Sequence, residues 1–245
     1  MTKEVMEEKE SQVESRISFW KAWLLPKVLF YAFSYFCAKM ALQVVFNSLF
    51  EFLEAEFDFK DEQNANISTV NDIGGMIGSV FIGYISDLTY GKRSPVSIVA
   101  LILSCVIWYT FTIEYNHLTY LSLLISFFFY GMFMQGVTNT IAGLAGMDIA
   151  KGIPDKNTKA VSTVTGIIDG TGSMGAAIGQ FIVGQTETAW GWRYGYILLT
   201  AVMQTFTLIP LTAIFCDEVK QIKEIRRQKK VDSAKGGQFS QKADF

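Results

Sequence analysis

Long apolar stretches alternate with short charged ones along the chain. The apolar stretches are Pro26–Phe50, Ile67–Leu88, Pro95–Ile113, Leu118–Met147, Ala160–Gly184 and Tyr194–Phe215. Charges crowd into Met1–Lys27, Glu51–Glu62, Lys92–Arg93, Lys151–Lys159 and the residues after Phe215. Each apolar stretch is about 20 residues or longer, the length an α-helix needs to cross a hydrocarbon core of roughly 30 Å. The pattern predicts an all-α membrane protein: six transmembrane helices over residues 26–215, a polar amino-terminal segment over 1–25, and a basic, flexible tail over 216–245.

Composition agrees with this reading. Of 245 residues, 50% are hydrophobic and 18% charged, where a soluble domain carries about 25% charge. The net charge of −2 says little about partners; the distribution of charge says more. The first connection is acidic, with Glu51, Glu54, Glu56, Asp58, Asp61 and Glu62 against Lys60. The second holds Lys92 and Arg93, the third ("IEYNH") no Lys or Arg, the fourth Lys151, Lys156 and Lys159, and the fifth Arg193 alone. The tail adds Lys220, Lys223, Arg226, Arg227, Lys229 and Lys230. Lys/Arg-rich connections stay on the cytoplasmic side or its topological equivalent, so the alternation places both ends there. The start, "MTKEVMEEKESQVESR", has no apolar core for a signal peptide and is too acidic for a typical mitochondrial presequence, which leaves targeting to the internal helices.

Candidate chemistry is sparse. Cys37, Cys105 and Cys216 lie far apart without metal spacing, and His117 is the sole histidine, in a short polar turn. With no His/Asp/Ser or His/Cys constellation, neither enzymatic chemistry nor a metal or cofactor is expected, and nothing suggests nucleic acid. Gly170-Thr171-Gly172-Ser173-Met174-Gly175 satisfies G-x-G-x-x-G, but a nucleotide loop needs a strand before it and a helix after it. Here the motif lies inside the fifth apolar stretch. Gly166 and Gly170 are four apart, as are Gly175 and Gly179, and with Gly172 they are expected to let helix backbones approach closely in lipid.

Two ionisable residues stand near mid-membrane, where an ionised side chain must face a partner or a wet cavity: Lys39 in the first stretch and Asp169 in the fifth. One reading makes Lys39 a cation on a polar pathway, with Asp169 as its partner or as a proton- or substrate-sensing group. The other makes them a structural ion pair. Gln135 and Asn139, four apart in the fourth stretch with Gly131 and Gly143 on the same stripe, offer a polar face toward the same interior, or interhelical hydrogen bonds.

After the second stretch the chain reads "GYISDLTYGKRSP", where Gly83, Asp87, Gly91, Lys92 and Arg93 match the G-x-x-x-D-x-x-x-G-[RK]-[RK] loop of the major facilitator superfamily. "NDIGGMIGSVFIGYISDLTYGKR" and "NTKAVSTVTGIIDGTGSMGAAIGQFIVG" resemble the carboxy-terminal half of eukaryotic sugar-phosphate exchangers, relatives of bacterial organophosphate:phosphate antiporters. The resemblance spans about Pro26 to Phe215 and implies half of a transporter exchanging an organic phosphate for inorganic phosphate. It further implies a site between two six-helix halves, Lys39 facing the phosphate, and endoplasmic-reticulum or other organellar membranes. In the bacterial relatives the basic residue falls nearer the register of Leu42. The expected partners are membrane lipid, a phosphate-bearing substrate, and a second half, a second copy or other membrane subunits. The alternative is a degenerate half-transporter retained as a structural subunit of a larger membrane complex.

Overall fold

In a computed structural model, the described residues are 19–25, 28–89, 94–145 and 158–242. Their helices are α1 (Phe19–Trp23), α2 (Val28–Phe57), α3 (Asp61–Leu88), α4 (Ser94–Ile113), α5 (Tyr120–Tyr130), α6 (Gly136–Asn139), α7 (Thr158–Gly191) and α8 (Leu199–Lys242). Wide, π-type turns at Gly131–Gln135 and Thr140–Ala145 join α5 and α6 into one rod, and another at Trp192–Leu198 opens α8. Among the described residues the chain thus forms six long rods and no strand.

Four described stretches are long and apolar enough to cross a membrane: Val28–Phe57, Ser94–Ile113, Tyr120–Ala142 and Ser162–Glu224, the last comprising α7 and most of α8's apolar length. α3 is not among them, because its first half carries Asn64, Asn66, Ser68, Thr69, Asn71 and Asp72. The protein is an integral, multi-pass membrane protein.

Helix ends depart from the apolar boundaries. α2 runs on through Glu51, Glu54 and Glu56 to Phe57, and α3 already starts at Asp61. Glu is a good helix former, so hydropathy marks where lipid stops and not where the helix stops. The turn between them takes Asp58 at φ 49°, and Gln63 reaches back to accept from the Lys60 backbone N–H at 3.2 Å. A reciprocal capping box opens α5: the Ser122 N–H donates to Thr119 Oγ1 at 3.3 Å and the Thr119 N–H to Ser122 Oγ at 2.8 Å. Residues 216–242, read from sequence as a flexible tail, continue α8 in a composition rich in Lys, Arg and Gln.

α2 is the central rod, packed against α7 and α8. Its carbonyls at Ala41 and Val45 accept from the buried hydroxyls of Tyr130 (3.5 Å) and Tyr196 (3.1 Å). Trp108, Phe111, Phe127 and Tyr130 pack as one aromatic cluster between α4 and α5, with Trp108 and Tyr130 centroids 4.5 Å apart. At the end of the bundle where α2 begins, Glu218 of α8 is 5% exposed. It accepts from the Tyr31 hydroxyl and from the backbone N–H of Ser94, both at 3.0 Å, and from the Ser94 hydroxyl. This carboxylate places the start of α2, the start of α4 and the inner part of α8 at the same end of the bundle.

Candidate functional site

α2 and α7 bring together the two intramembrane charges. Lys39 Nζ lies 2.8 Å from Asp169 Oδ1, the one ion pair among the described residues. The same ammonium donates to Ser173 Oγ at 3.2 Å and lies 5.3 Å from the centre of the Tyr35 ring. The Tyr35 hydroxyl also points to Asp169 Oδ1, at 3.4 Å. Lys39 is 22% exposed and Asp169 58%. The cation is therefore tucked against Tyr35, while the carboxylate stands on the open side of the bundle. An ion pair facing lipid at this depth is costly, so the open side calls for cover or water.

The glycines of α7 divide between two faces. A Cβ on Gly172 would run into the Tyr35 ring and crowd Lys39, one on Gly175 would meet the Phe36 carbonyl, and one on Gly179 would meet Met40 and Val44. These three are the seam along which α7 lies on α2. A Cβ on Gly166 or Gly170 would meet nothing within 4 Å. The reason is helical phase: at about 100° per residue they lie roughly 120° and 160° around the axis from Gly172. Of the two four-residue pairs, only Gly175 and Gly179 meet α2, and Gly172, outside that spacing, joins them.

The fourth rod is built differently. Gln135 and Asn139 sit at the edges of its wide turns, a feature frequent at functional sites. Gln135 lies over Gly75, and the Asn139 amide donates to Ser79 Oγ at 2.8 Å. A Cβ on Gly74, Gly78, Gly131 or Gly136 would collide with backbone of the facing helix, so α3 and the fourth rod lie backbone to backbone. Gly74-x-x-x-Gly78 is a small-residue motif legible in the sequence and absent from the expected packing glycines. Lys39 and Asp169 make no direct hydrogen bond to Gln135 or Asn139 among the described residues.

Other residues were missed as well. Gln43 and Asn47 follow Lys39 at helical spacing on α2, with Gln43 Nε2 donating to Asn47 Oδ1 at 2.8 Å. Gln180 on α7 donates to Ser48 at 3.0 Å. Spacing of i+4 and i+8 from Lys39 was the available signal. Of the positive loop, Gly83 stands clear of any neighbour and Asp87 is exposed near the carboxy-terminal end of α3. Gly91, Lys92 and Arg93 lie outside the described residues, and the side-chain surroundings of Gly143 are not described. At the end of the bundle where α2 finishes, burial and the neighbouring Glu56 raise the Tyr115 phenol above its ordinary pKa, with Arg193 opposing. Arg193 lies between Tyr115 and Tyr194, 5.7 and 5.6 Å from the ring centres.

The sequence profile described as Major Facilitator Superfamily matches residues 28–242. "Sugar phosphate exchanger 3" of Mus musculus is 34% identical over 196 residues, covering 78% of this chain and 39% of that protein. The protein of the same name from Xenopus laevis is 34% identical over 198 residues, with 80% and 39% covered. "Putative glycerol-3-phosphate transporter 1" of Arabidopsis thaliana is 30% identical over 217 residues, with 86% and 41% covered. The chain spans about two fifths of the length of these relatives. With the profile covering nearly every rod and relatives matching over more than two thirds of its length, the chain belongs to the Major Facilitator Superfamily, in the family of the organophosphate:phosphate antiporters.

Proposed function

We propose that this chain is one six-helix half of a secondary transporter that exchanges an organic phosphate, either a sugar phosphate or glycerol phosphate, for inorganic phosphate. The observation that carries the reading is the Lys39–Asp169 pair on the open side of the bundle, with Ser173 and Tyr35 around the ammonium. A phosphate oxyanion can take the place of the Asp169 carboxylate at Lys39, because both present oxygen acceptors to the same ammonium. The names of the relatives supply the substrate class. Alternating access rocks one bundle against another around a midplane site, and the six rods supply one wall. The second wall comes from the remainder of a longer chain, a separate chain or a second copy.

A second reading rests on the same pair. Lys39 is already neutralised by Asp169, as befits a bundle kept as a structural subunit of a larger membrane complex. Reconstitution in liposomes with phosphate exchange as readout separates the two. The transport reading expects exchange only when a second six-helix half is present. Robust exchange by a demonstrated monomer of residues 1–245 overturns the need for a second wall. A stable, inactive complex with non-transporter subunits establishes the structural role.

A further inference from the structure

The inner end of the bundle carries cations that the phosphate site does not use. α8 leaves the last apolar stretch at Phe215 and continues as helix to Lys242. Leu211, Ile214, Glu218 and Ile222 are buried and share one side of it. That side faces the bundle, since Glu218 takes its hydrogen bonds from α2 and the start of α4. At about 100° per residue, Lys220, Lys223 and Arg227 fall within roughly 40° of the opposite side. All three are exposed, and none forms an ion pair with a described carboxylate.

Depth matters as much as direction. At 1.5 Å per residue, Lys220 stands about 7.5 Å beyond Phe215, Lys223 about 12 Å and Arg227 about 18 Å. The headgroup layer is roughly 5–8 Å thick on each side of the hydrocarbon. Lys220 thus lies at its outer edge, and the long stems of Lys223 and Arg227 reach back toward it, within a Debye length of about 8–10 Å. At the same end, Trp20 of α1 is exposed beside Lys21, a side-chain type that anchors at the headgroup level. Glu51, Glu54, Glu56, Asp58, Asp61 and Glu62, all exposed, belong to the opposite end.

We infer that the outward face of α8, Lys220 with Lys223 and Arg227, is a docking surface for anionic phospholipid headgroups of the cytoplasmic leaflet. Charge complementarity selects the occupant: three cations line one face from the outer edge of the headgroup layer outward, without an ion pair to a described carboxylate, and the described acids on its flanks are Asp217 and Glu224. The binding is independent of transport. It adds to the orienting role of the positive charges, which by itself requires no particular lipid.

Native mass spectrometry of the full chain in mild detergent tests this with phosphatidylserine and phosphatidylcholine of identical acyl chains. The wild-type chain is expected to retain phosphatidylserine at lower lipid concentration, and added salt is expected to erase the difference. The triple variant K220Q/K223Q/R227Q is expected to weaken phosphatidylserine retention by about tenfold or more, with phosphatidylcholine unchanged. The charge-keeping variant K220R/K223R/R227K is expected to preserve the preference. Equal retention of both lipids by the wild type overturns the inference. So does a preference that survives in a monodisperse triple Gln variant, or one that disappears in the charge-keeping variant. Glycerophosphoserine displacing the lipid at equal concentration assigns the face to a soluble phosphate and overturns it too.

Discussion

The α2–α7 contact and the contact between α3 and the fourth rod both bring helices close on glycine, yet they carry opposite kinds of polar group. On α2–α7, Gly172, Gly175 and Gly179 admit aromatic and aliphatic side chains, and an ion pair emerges at the open edge. On the other contact, Gly74, Gly78, Gly131 and Gly136 admit backbone itself, and the polar groups are neutral amides: half-buried Gln135 over Gly75 and exposed Asn139 bonded to Ser79. A charge needs an accessible edge, because enclosing it in lipid or protein is expensive. A neutral amide carries no such charge penalty, so it can sit at a tight helix contact with one hydrogen bond across it and its remaining groups open. The first contact therefore leaves its charge at an accessible edge, and the second joins two rods through backbone and neutral amides.

The most severe test of this contrast is loss of the cation. If the open edge serves an anion, Lys39→Ala is expected to abolish phosphate exchange in the assembled transporter, with membrane expression largely intact. If the pair is structural, the same change destabilises the chain and adding Asp169→Asn partly restores it. Thermal melting in detergent beside the exchange assay distinguishes these, and unchanged exchange in a stable Lys39→Ala protein removes Lys39 from the site.

A smaller effect compares glycines. Gly78→Ala places a methyl against the Met132 backbone, which has no side-chain freedom with which to yield. Overpacking of this kind costs about 1–3 kcal/mol. Gly170→Ala adds a methyl where nothing lies within 4 Å and is expected to change bundle stability by about 0.5 kcal/mol or less. Denaturant titration of both variants checks the difference, and equal destabilisation would remove the distinction between seam and open face.

The smallest effect is expected at the neutral pair. Ser79→Ala removes the acceptor for Asn139, and interhelical hydrogen bonds in membrane proteins average about 0.6 kcal/mol. A loss well above about 2 kcal/mol would show that the amide is more than a register pin. The same titration reads it.

Much of the fold is legible because lipid imposes a long apolar run on each rod and charge must gather between runs. The pairing of Lys39 with Asp169 is legible for the same reason: two costly charges at similar depth have few other partners. Three features escape. Helix ends escape because Glu51 to Phe57 is helical without being apolar. Helical phase escapes when glycines are counted by spacing alone, which is why Gly166 and Gly170 read like Gly172 and Gly175. The wide turns flanking Gln135 and Asn139 escape because they arise from tertiary packing, where Gly131 meets Asn71.

One backbone angle marks the reversal between the last two rods. Ser162–Glu224 is a single 63-residue run with enough apolar length for two passes. It doubles back at Gly191, where φ is 73°, a value that L side chains rarely adopt. Were that hinge straightened, the fifth and sixth rods would leave the bilayer as one. An odd number of crossings would then deliver Glu218 to the wrong compartment, away from Tyr31 and Ser94. A residue without a side chain thus sits at the reversal that lets the last two rods run antiparallel and returns Glu218 to the end of the bundle that holds Tyr31 and Ser94.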